Sequence, residues 1–200
     1  MLQGLEGRRL ALFIAAESYV AERRAGNVIA ALEGAGARIH VLSGADRTDD
    51  EFRGAQYAAL VLIGDGSSGF SADPRLVQLT REFLASDKPV AALGGALSMI
   101  MESGGAAGRT LAAHGPLTTS LESAGAKCVD EPVHVDDLLI SAQGNADVET
   151  FAAVVVRELS NKLEERDVDE MSDLSFPASD PPAVTPSTIG GATPDLDARA

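Results

Sequence analysis

The sharp turn Leu93-Gly94-Gly95 lies between an apolar segment and a helical one, the place where hydrolases of α/β architecture hold a nucleophile. Such a turn brings positive φ angles and presents helix-end amides to an oxyanion. Glycine adopts this backbone geometry without strain but carries no nucleophile. Ser98, one helical turn later, is not surrounded by G-x-S-x-G. The turn therefore predicts the backbone of a catalytic site without its catalytic group.

A histidine and two carboxylates follow predicted strands at their carboxyl ends, where α/β proteins build sites. His114 follows the segment 110–112, and Glu17 and Glu22 follow the first strand. Glu22 and His114 could form an acid–base pair that needs no covalent nucleophile. The alternative is that both acids lie in a solvated helix N-terminus, where the helix dipole favours them.

Nucleotide and metal sites are not favoured by the remaining motifs. Residues 64–69 read G-x-G-x-x-G, but the next helix is predicted to begin only at Asp73, so they indicate a glycine turn rather than a dinucleotide site. His40 and His134 alternate with apolar neighbours in strands and are predicted to be structural. No histidine stands at metal-ligand spacing from a cysteine or carboxylate. We therefore expect neither a metal nor a cofactor.

Short apolar runs alternate with segments of helical periodicity along most of the chain, which predicts an α/β fold with a mainly parallel sheet covered on both faces. The predicted strands are 9–16, 38–42, 58–63, 89–93, 110–112, 126–129, 133–135 and 138–141. The predicted helices follow the first strand up to Gly34 and then cover 73–86, 96–102, 117–124 and 146–162. Together they predict one domain over residues 1–163.

The character of the chain changes after Leu163. Five of the nine prolines and nine acidic residues lie in 164–200, against two arginines, and no hydrophobic period continues there. This composition predicts a disordered acidic tail. The alternative is a short partner-binding segment around 171–176.

The composition of the chain argues against several classes of function. A formal net charge of −14 argues against binding to nucleic acid or to anionic membrane surfaces. The single cysteine, Cys128, excludes an intramolecular disulfide and reads as a small buried hydrophobe. The sequence shows no signal peptide and no apolar run long enough for a membrane span. These features predict a cytoplasmic protein.

Five segments resemble, in order and spacing, the ThiJ/PfpI superfamily of Parkinsonism-associated DJ proteins and their bacterial relatives. They are 59–64 (ALVLIG), 88–93 (KPVAAL), 108–114 (GRTLAAH), 124–137 (AGAKCVDEPVHVDD) and 139–144 (LISAQG). The resemblance covers about 8–162. It implies a class I glutamine-amidotransferase-like fold, a flavodoxin-like three-layer sandwich, and a homodimer.

The resemblance also assigns site positions. The family's cysteine falls on Gly94, and the next residue, often histidine in relatives, falls on Gly95. The family's acidic partner of that cysteine falls within one residue of Glu22. His114 matches a position that is His or Tyr in relatives, and Gly64 matches the loop that supplies an oxyanion amide.

Most activities that the resemblance implies depend on a thiolate at the turn: glyoxalase or deglycase chemistry, peptidase activity and peroxide sensing. With glycine there, our leading hypothesis is a non-catalytic, stress-associated binding or scaffolding module with a small-molecule or protein ligand. One alternative is a cysteine-independent hydrolase or lyase, glyoxalase- or peptidase-like, that uses Glu22 and His114. Another is a small-molecule sensor in which Gly94 and Gly95 leave room for a ligand.

Overall fold

The computed structural model describes residues 5–14, 19–42, 53–65 and 74–174, with side chains described through Val168. Four features singled out from the sequence lie outside these residues. They are Glu17, most of the glycine turn (66–69), the helix start at Asp73, and the chain beyond Leu174.

Six strands form the main sheet, in the order β2-β1-β3-β4-β8-β7, and every neighbouring pair is parallel except β7–β8. The central strands, β3 and β4, are buried at every position, as expected for apolar strands covered on both faces. The strands are β1 (Arg9–Ile14), β2 (Arg38–Leu42), β3 (Ala59–Ile63), β4 (Val90–Leu93), β5 (Thr110–Ala112), β6 (Lys127–Val129), β7 (Val133–Asp136) and β8 (Leu139–Ala142).

The described residues form five α-helices that cover the sheet, and two of them, α2 and α4, begin at a proline, a residue well suited to the first helical turn. They are α1 (Tyr19–Gly34), α2 (Pro74–Ala85), α3 (Leu97–Glu102), α4 (Pro116–Ser123) and α5 (Val148–Leu174). A 3₁₀ turn, Gly94–Ala96, joins β4 to α3.

Two hydrophobic clusters lie on opposite faces of the sheet. Helices α1 and α5 pack together on one face, where Val28 and Leu32 meet Phe151 and Val155. Helices α2, α3 and α4 cover the other face, with Phe83 among its largest buried side chains. The expected three-layer, mainly parallel α/β architecture is thereby confirmed.

The segment before His114 does not join the main sheet. Strand β5 pairs only with β6, in a separate parallel two-stranded sheet. It is tethered to β8 because the amide of Ala112 donates a 2.9 Å hydrogen bond to Ser141 Oγ. The strand next to β8 at the edge of the main sheet is β7, which pairs antiparallel with it. His114 follows β5, so the expectation that it follows a strand of the main sheet is wrong.

The last helix extends beyond the predicted end of the domain. Helix α5 continues from Leu163 to Leu174 through a segment that contains three Glu, three Asp and one Arg. Glu and Arg are good helix formers and need no buried face to continue an established helix. The prediction of disorder is therefore wrong for 164–174. For 175–200, which lie outside the described residues, it stays a prediction.

Candidate functional site

Gly94 occupies a left-handed turn at the end of the central strand β4. Its φ is +64°, a conformation that L side chains rarely adopt and glycine adopts freely. Leu93 before it is still extended, and Gly94 opens the 3₁₀ turn into α3. This strand–turn–helix geometry is the one that the sequence predicted for the turn.

The space that a side chain at position 94 would need is already occupied. A Cβ built on Gly94 would lie 2.8 Å from the carbonyl oxygen of Asp65 and 3.1 Å from Gly144 Cα. Both neighbours are backbone atoms, so a shift of the main chain would be required. In this structure the turn is closed around a glycine rather than left as an empty cysteine-sized gap.

Two amides beside the turn are engaged in backbone hydrogen bonds. Gly95 N–H, which follows the nucleophile position and would point at an oxyanion in a catalytic turn, donates 2.9 Å to Asp65 O. Gly64 N–H donates 2.9 Å to Leu93 O. Neither amide is available to a substrate oxygen without breaking a hydrogen bond within the protein.

The side chain of α1 that reaches this turn is Arg24. Its guanidinium donates to the carbonyl oxygens of Gly64 (3.3 Å) and Gly144 (2.5 Å), the two loops that close on Gly94. Glu22 lies two residues earlier, is exposed, and is not among the residues that line the cavity beside Gly94. The structure therefore brings a cation from α1 to the turn instead of the expected carboxylate.

A cavity of about 270 Å³ opens beside the turn. One wall is apolar and comes from α3 and the start of α4, and the other carries polar groups. Its lining residues are Gly94, Gly95, Leu97, Ser98, Met101, Glu102, Ala113, His114, Pro116, Leu117, Ser120, Gln143 and Gly144. The structure thus brings Gly94, Gly95 and His114 together on one cavity.

His114 belongs to a small polar network that the sequence did not reveal. Its Nδ1 lies 3.4 Å from Asp130 Oδ1, which also accepts a 2.8 Å hydrogen bond from Gln143 Nε2. The hydrogen bond from Gln143, followed by the charge of His114, lowers the pKa of the Asp130 carboxyl. Asp130 and Gln143 lie in segments 124–137 and 139–144, 16 and 29 residues after His114, and sequence spacing alone does not show that loops so far apart meet at His114.

Cys128 does not have the features of a reactive nucleophile. It lies on β6, half-buried, with its thiol 3.8 Å from the carbonyl oxygen of Thr118. Burial, and secondarily the charge of Glu122, raises the pKa of this thiol. A raised pKa reduces the thiolate fraction at neutral pH, opposite to the requirement of a reactive cysteine.

The other two histidines have local partners. His40 Nδ1 contacts the hydroxyl of the buried Tyr57, and His134 Nδ1 lies 2.9 Å from Glu131 Oε2. Within the described ranges, no group of three or more His, Cys, Asp or Glu residues is arranged to hold a metal ion. The same ranges contain no helix that is both long and apolar enough to cross a membrane.

Comparison with known proteins identifies similar sequences. The profile of the DJ-1/PfpI family matches residues 23–158. Protein/nucleic acid deglycase 2 of Escherichia coli K12 is 33% identical over 116 residues, which cover 57% of this chain and 67% of that protein. General stress protein 18 of Bacillus subtilis 168 is 30% identical over 112 residues, covering 53% of this chain and 63% of that protein.

Solved structures show the same fold at lower sequence identity. A ThiJ/PfpI domain protein from Brachyspira murdochii has a TM-score of 0.65 at 17% identity, and the match covers 78% of this chain and 98% of that protein. Drosophila melanogaster DJ-1beta has a TM-score of 0.61 at 18% identity, and the match covers 84% of this chain and 98% of that protein. At these identities the structural match describes the fold alone.

Proposed function

We propose, from the premise that the chain belongs to the DJ-1/PfpI family, that this protein is a non-catalytic small-molecule-binding module of that stress-associated family. It binds its ligand non-covalently in the cavity beside Gly94. Assembly as a homodimer and a cytoplasmic location, both expected from the sequence, belong to the same proposal.

The hydrogen bond from Gly95 N–H to Asp65 O carries this proposal. In a covalent mechanism that amide would hold the oxyanion after attack by a side chain at position 94. Here the attacking side chain is absent, and the same carbonyl oxygen lies 2.8 Å from the position that its Cβ would take. The Asp65 carbonyl oxygen thus crowds any side chain at position 94 and also engages the Gly95 amide that would hold an oxyanion.

The open cavity favours a ligand over a purely scaffolding role. Leu97, Met101 and Leu117 offer an apolar wall, while His114 and Gln143 offer hydrogen-bonding groups. Ligand sites combine these features, although typical ones hold molecules as large as a drug. At about 270 Å³, the site suits a smaller amphiphilic molecule with one polar end directed at His114.

The names of the two relatives support the stress association. One is called a protein/nucleic acid deglycase and the other a general stress protein. The aligned segments span about two thirds of each relative, so the deglycase activity itself is not carried over. A stress-related ligand, such as a small carbonyl compound, is the class that we would screen first.

A pair of tryptophan variants tests the binding site. Ser120 lines the cavity mouth on α4 and is exposed, so Ser120→Trp should fill the mouth without disturbing the core. Thr119→Trp is the matched control, since Thr119 is exposed on the same helix and does not line the cavity. We expect small amphiphilic carbonyl compounds to raise the melting temperature of the wild type and of Thr119→Trp, but not of Ser120→Trp. Equal shifts in all three proteins would place binding elsewhere.

The pairing of His114 with Asp130 favours one second candidate. A histidine beside a carboxylate can act as general acid or base without a covalent intermediate, and this pair lies at 3.4 Å. Asp130 would then take the carboxylate role that the sequence assigned to Glu22. Turnover of methylglyoxal or a peptide that disappears in His114→Ala, and persists in His134→Ala, would select this candidate over the first.

A further inference from the structure

A second cavity lies at the other end of the sheet from Gly94. The residues that precede β1, β3 and β4 line it together with α5, so it sits at the amino ends of the parallel strands. Its volume is about 360 Å³. None of its lining residues belongs to the cavity beside the turn. It is therefore a separate site, and nothing inferred about it rests on the function proposed above.

Cations dominate the lining of this second cavity. Arg8, Arg9, Lys88 and Arg166 contribute four positive charges, and Asp167 contributes the one carboxylate. Among the described residues, Asp167 pairs with Arg8, and no carboxylate pairs with the other three cations. This excess of positive charge occurs in a chain whose formal net charge is −14. A cluster of positive charges in so acidic a protein indicates a specific role for this cavity.

Neutral backbone groups and an aromatic ring position these unpaired cations. Lys88 Nζ donates to the carbonyl oxygens of Gly54 (2.7 Å) and Tyr57 (2.8 Å). The guanidinium carbon of Arg9 lies 5.5 Å from the centre of the Tyr57 ring. Arg166 Nη1 donates 3.2 Å to the carbonyl of Asp87, next to Lys88 in sequence. These contacts hold the three cations through neutral groups, and no carboxylate among the described residues compensates their charge.

Mutual repulsion within the cluster is visible at Lys88. Burial, and secondarily the charge of Arg166, lowers the pKa of the Lys88 ammonium. Like charges shift a pKa in this direction when they lie close without an intervening anion. A bound anion would offset both the desolvation and the repulsion, and its binding would therefore be favourable.

We propose that this cavity binds the phosphoryl group of a small molecule. Arginine guanidinium groups present forked donors that match phosphate oxygens, and lysine adds a point charge. Arg9 and Arg166 supply the forks, and Lys88 supplies the point charge in the same cavity. The buried faces of Tyr57 and Leu163 in the same cavity would contact an organic group attached to the phosphate.

Calorimetric titration of the full chain with inorganic pyrophosphate at low ionic strength tests the site. Arg9→Gln and Arg166→Gln remove unpaired cations of the cavity, and we expect each to weaken binding about tenfold, as for loss of a charge-assisted hydrogen bond. Arg157→Gln is the matched control: it removes the same charge from α5 outside the cavity. Its affinity should equal that of the wild type. Lys88 is left unchanged because its contacts with Gly54 and Tyr57 hold the fold.

Two results would overturn this proposal. One is the absence of pyrophosphate binding by a wild-type protein that melts cooperatively. The other is equal weakening in Arg157→Gln and Arg166→Gln, which would indicate bulk charge instead of a site. Titration with phenyl phosphate against inorganic phosphate then identifies the source of the phosphoryl group. Tighter binding of the phenyl ester supports an organic phosphate, and equal binding supports the inorganic ion.

Discussion

Gly94 combines a positive φ with a Cβ position that backbone atoms block. The sequence could predict the first property, because two glycines follow an apolar strand where a nucleophile is expected. It could not predict the second, which depends on where Asp65 and Gly144 lie in three dimensions.

The side chain of α1 that reaches the turn also differs from the one that the sequence suggested. The sequence suggested Glu22, whereas Arg24 donates to the carbonyl oxygens beside Gly94. A difference of two residues rotates a helical position by about 200°, slightly more than a half-turn, and hydrophobic spacing does not fix polar positions that finely.

Replacing Gly94 by alanine tests how firmly the turn is closed. We expect Gly94→Ala to lower the free energy of unfolding by about 1–3 kcal/mol, because the side chain meets both a left-handed backbone and the Asp65 carbonyl. Gly26→Ala is the control: Gly26 lies inside α1 with no atom within 4 Å of its built Cβ. That change should stabilise the helix by about 0.5–1 kcal/mol. Chemical denaturation measures both, and an unchanged Gly94→Ala protein would show that the turn opens readily.

Cys128 should react slowly with alkylating reagents. Its raised pKa means that the thiolate fraction, and with it the alkylation rate, increases at a higher pH than for a free thiol. The pH profile of iodoacetamide labelling checks this, with the urea-unfolded chain as the reference. A midpoint below that of the unfolded chain would identify an activated thiol and would contradict the account given for this residue.

At the scale of elements, the sequence predicted the central strands well, because a strand buried on both faces is an uninterrupted run of apolar residues. Peripheral elements were less predictable. Val20 matches the periodicity of α1 yet is 50% exposed, and β5 has the apolar character of a sheet strand but pairs only with β6. Their placement depends on tertiary partners. The length of α5 beyond Leu163 similarly reflects helix propensity, which a search for hydrophobic periodicity does not detect.

Asp147 caps the start of α5, and its contribution should depend on pH. Its carboxylate accepts a 2.8 Å hydrogen bond from the amide of Thr150, which lowers the pKa of Asp147. Stability from a group with a lowered pKa is present above its unfolded-state pKa and is lost as pH falls through the folded value. Asp147→Ala should therefore lower the melting temperature at pH 7, and the difference from wild type should shrink below about pH 4.

Asp147→Asn separates capping from charge. Asparagine caps helices about as well as aspartate, so the variant should keep most of the melting temperature at pH 7 and lose the acid-dependent part. Thermal melts between pH 3 and 7 measure both variants. A difference between Asp147→Ala and wild type that stays constant over this range would contradict the assigned cap.

For the whole molecule, the two cavities lie at opposite ends of the strands, one beside Gly94 and one around Tyr57. Leu163 is the last member of the two hydrophobic clusters that the described residues form. We expect truncation after Leu174 to leave the melting temperature unchanged within about 1 °C, because the five prolines of 175–200 and its lack of a hydrophobic period are typical of a segment without a packed core. Differential scanning calorimetry checks this, and a large decrease would show that the segment packs on the domain.

The central claim is that the cavity beside Gly94 binds a ligand without catalysing a reaction. The most direct test is the rate of methylglyoxal consumption, followed by NMR, with catalytic amounts of the wild type and of Gly94→Cys. We predict that both samples match the buffer rate, because a Cβ at position 94 would lie 2.8 Å from the carbonyl oxygen of Asp65, which also accepts the hydrogen bond of the Gly95 amide. Consumption by the wild type above the buffer rate, abolished in His114→Ala, would contradict the claim.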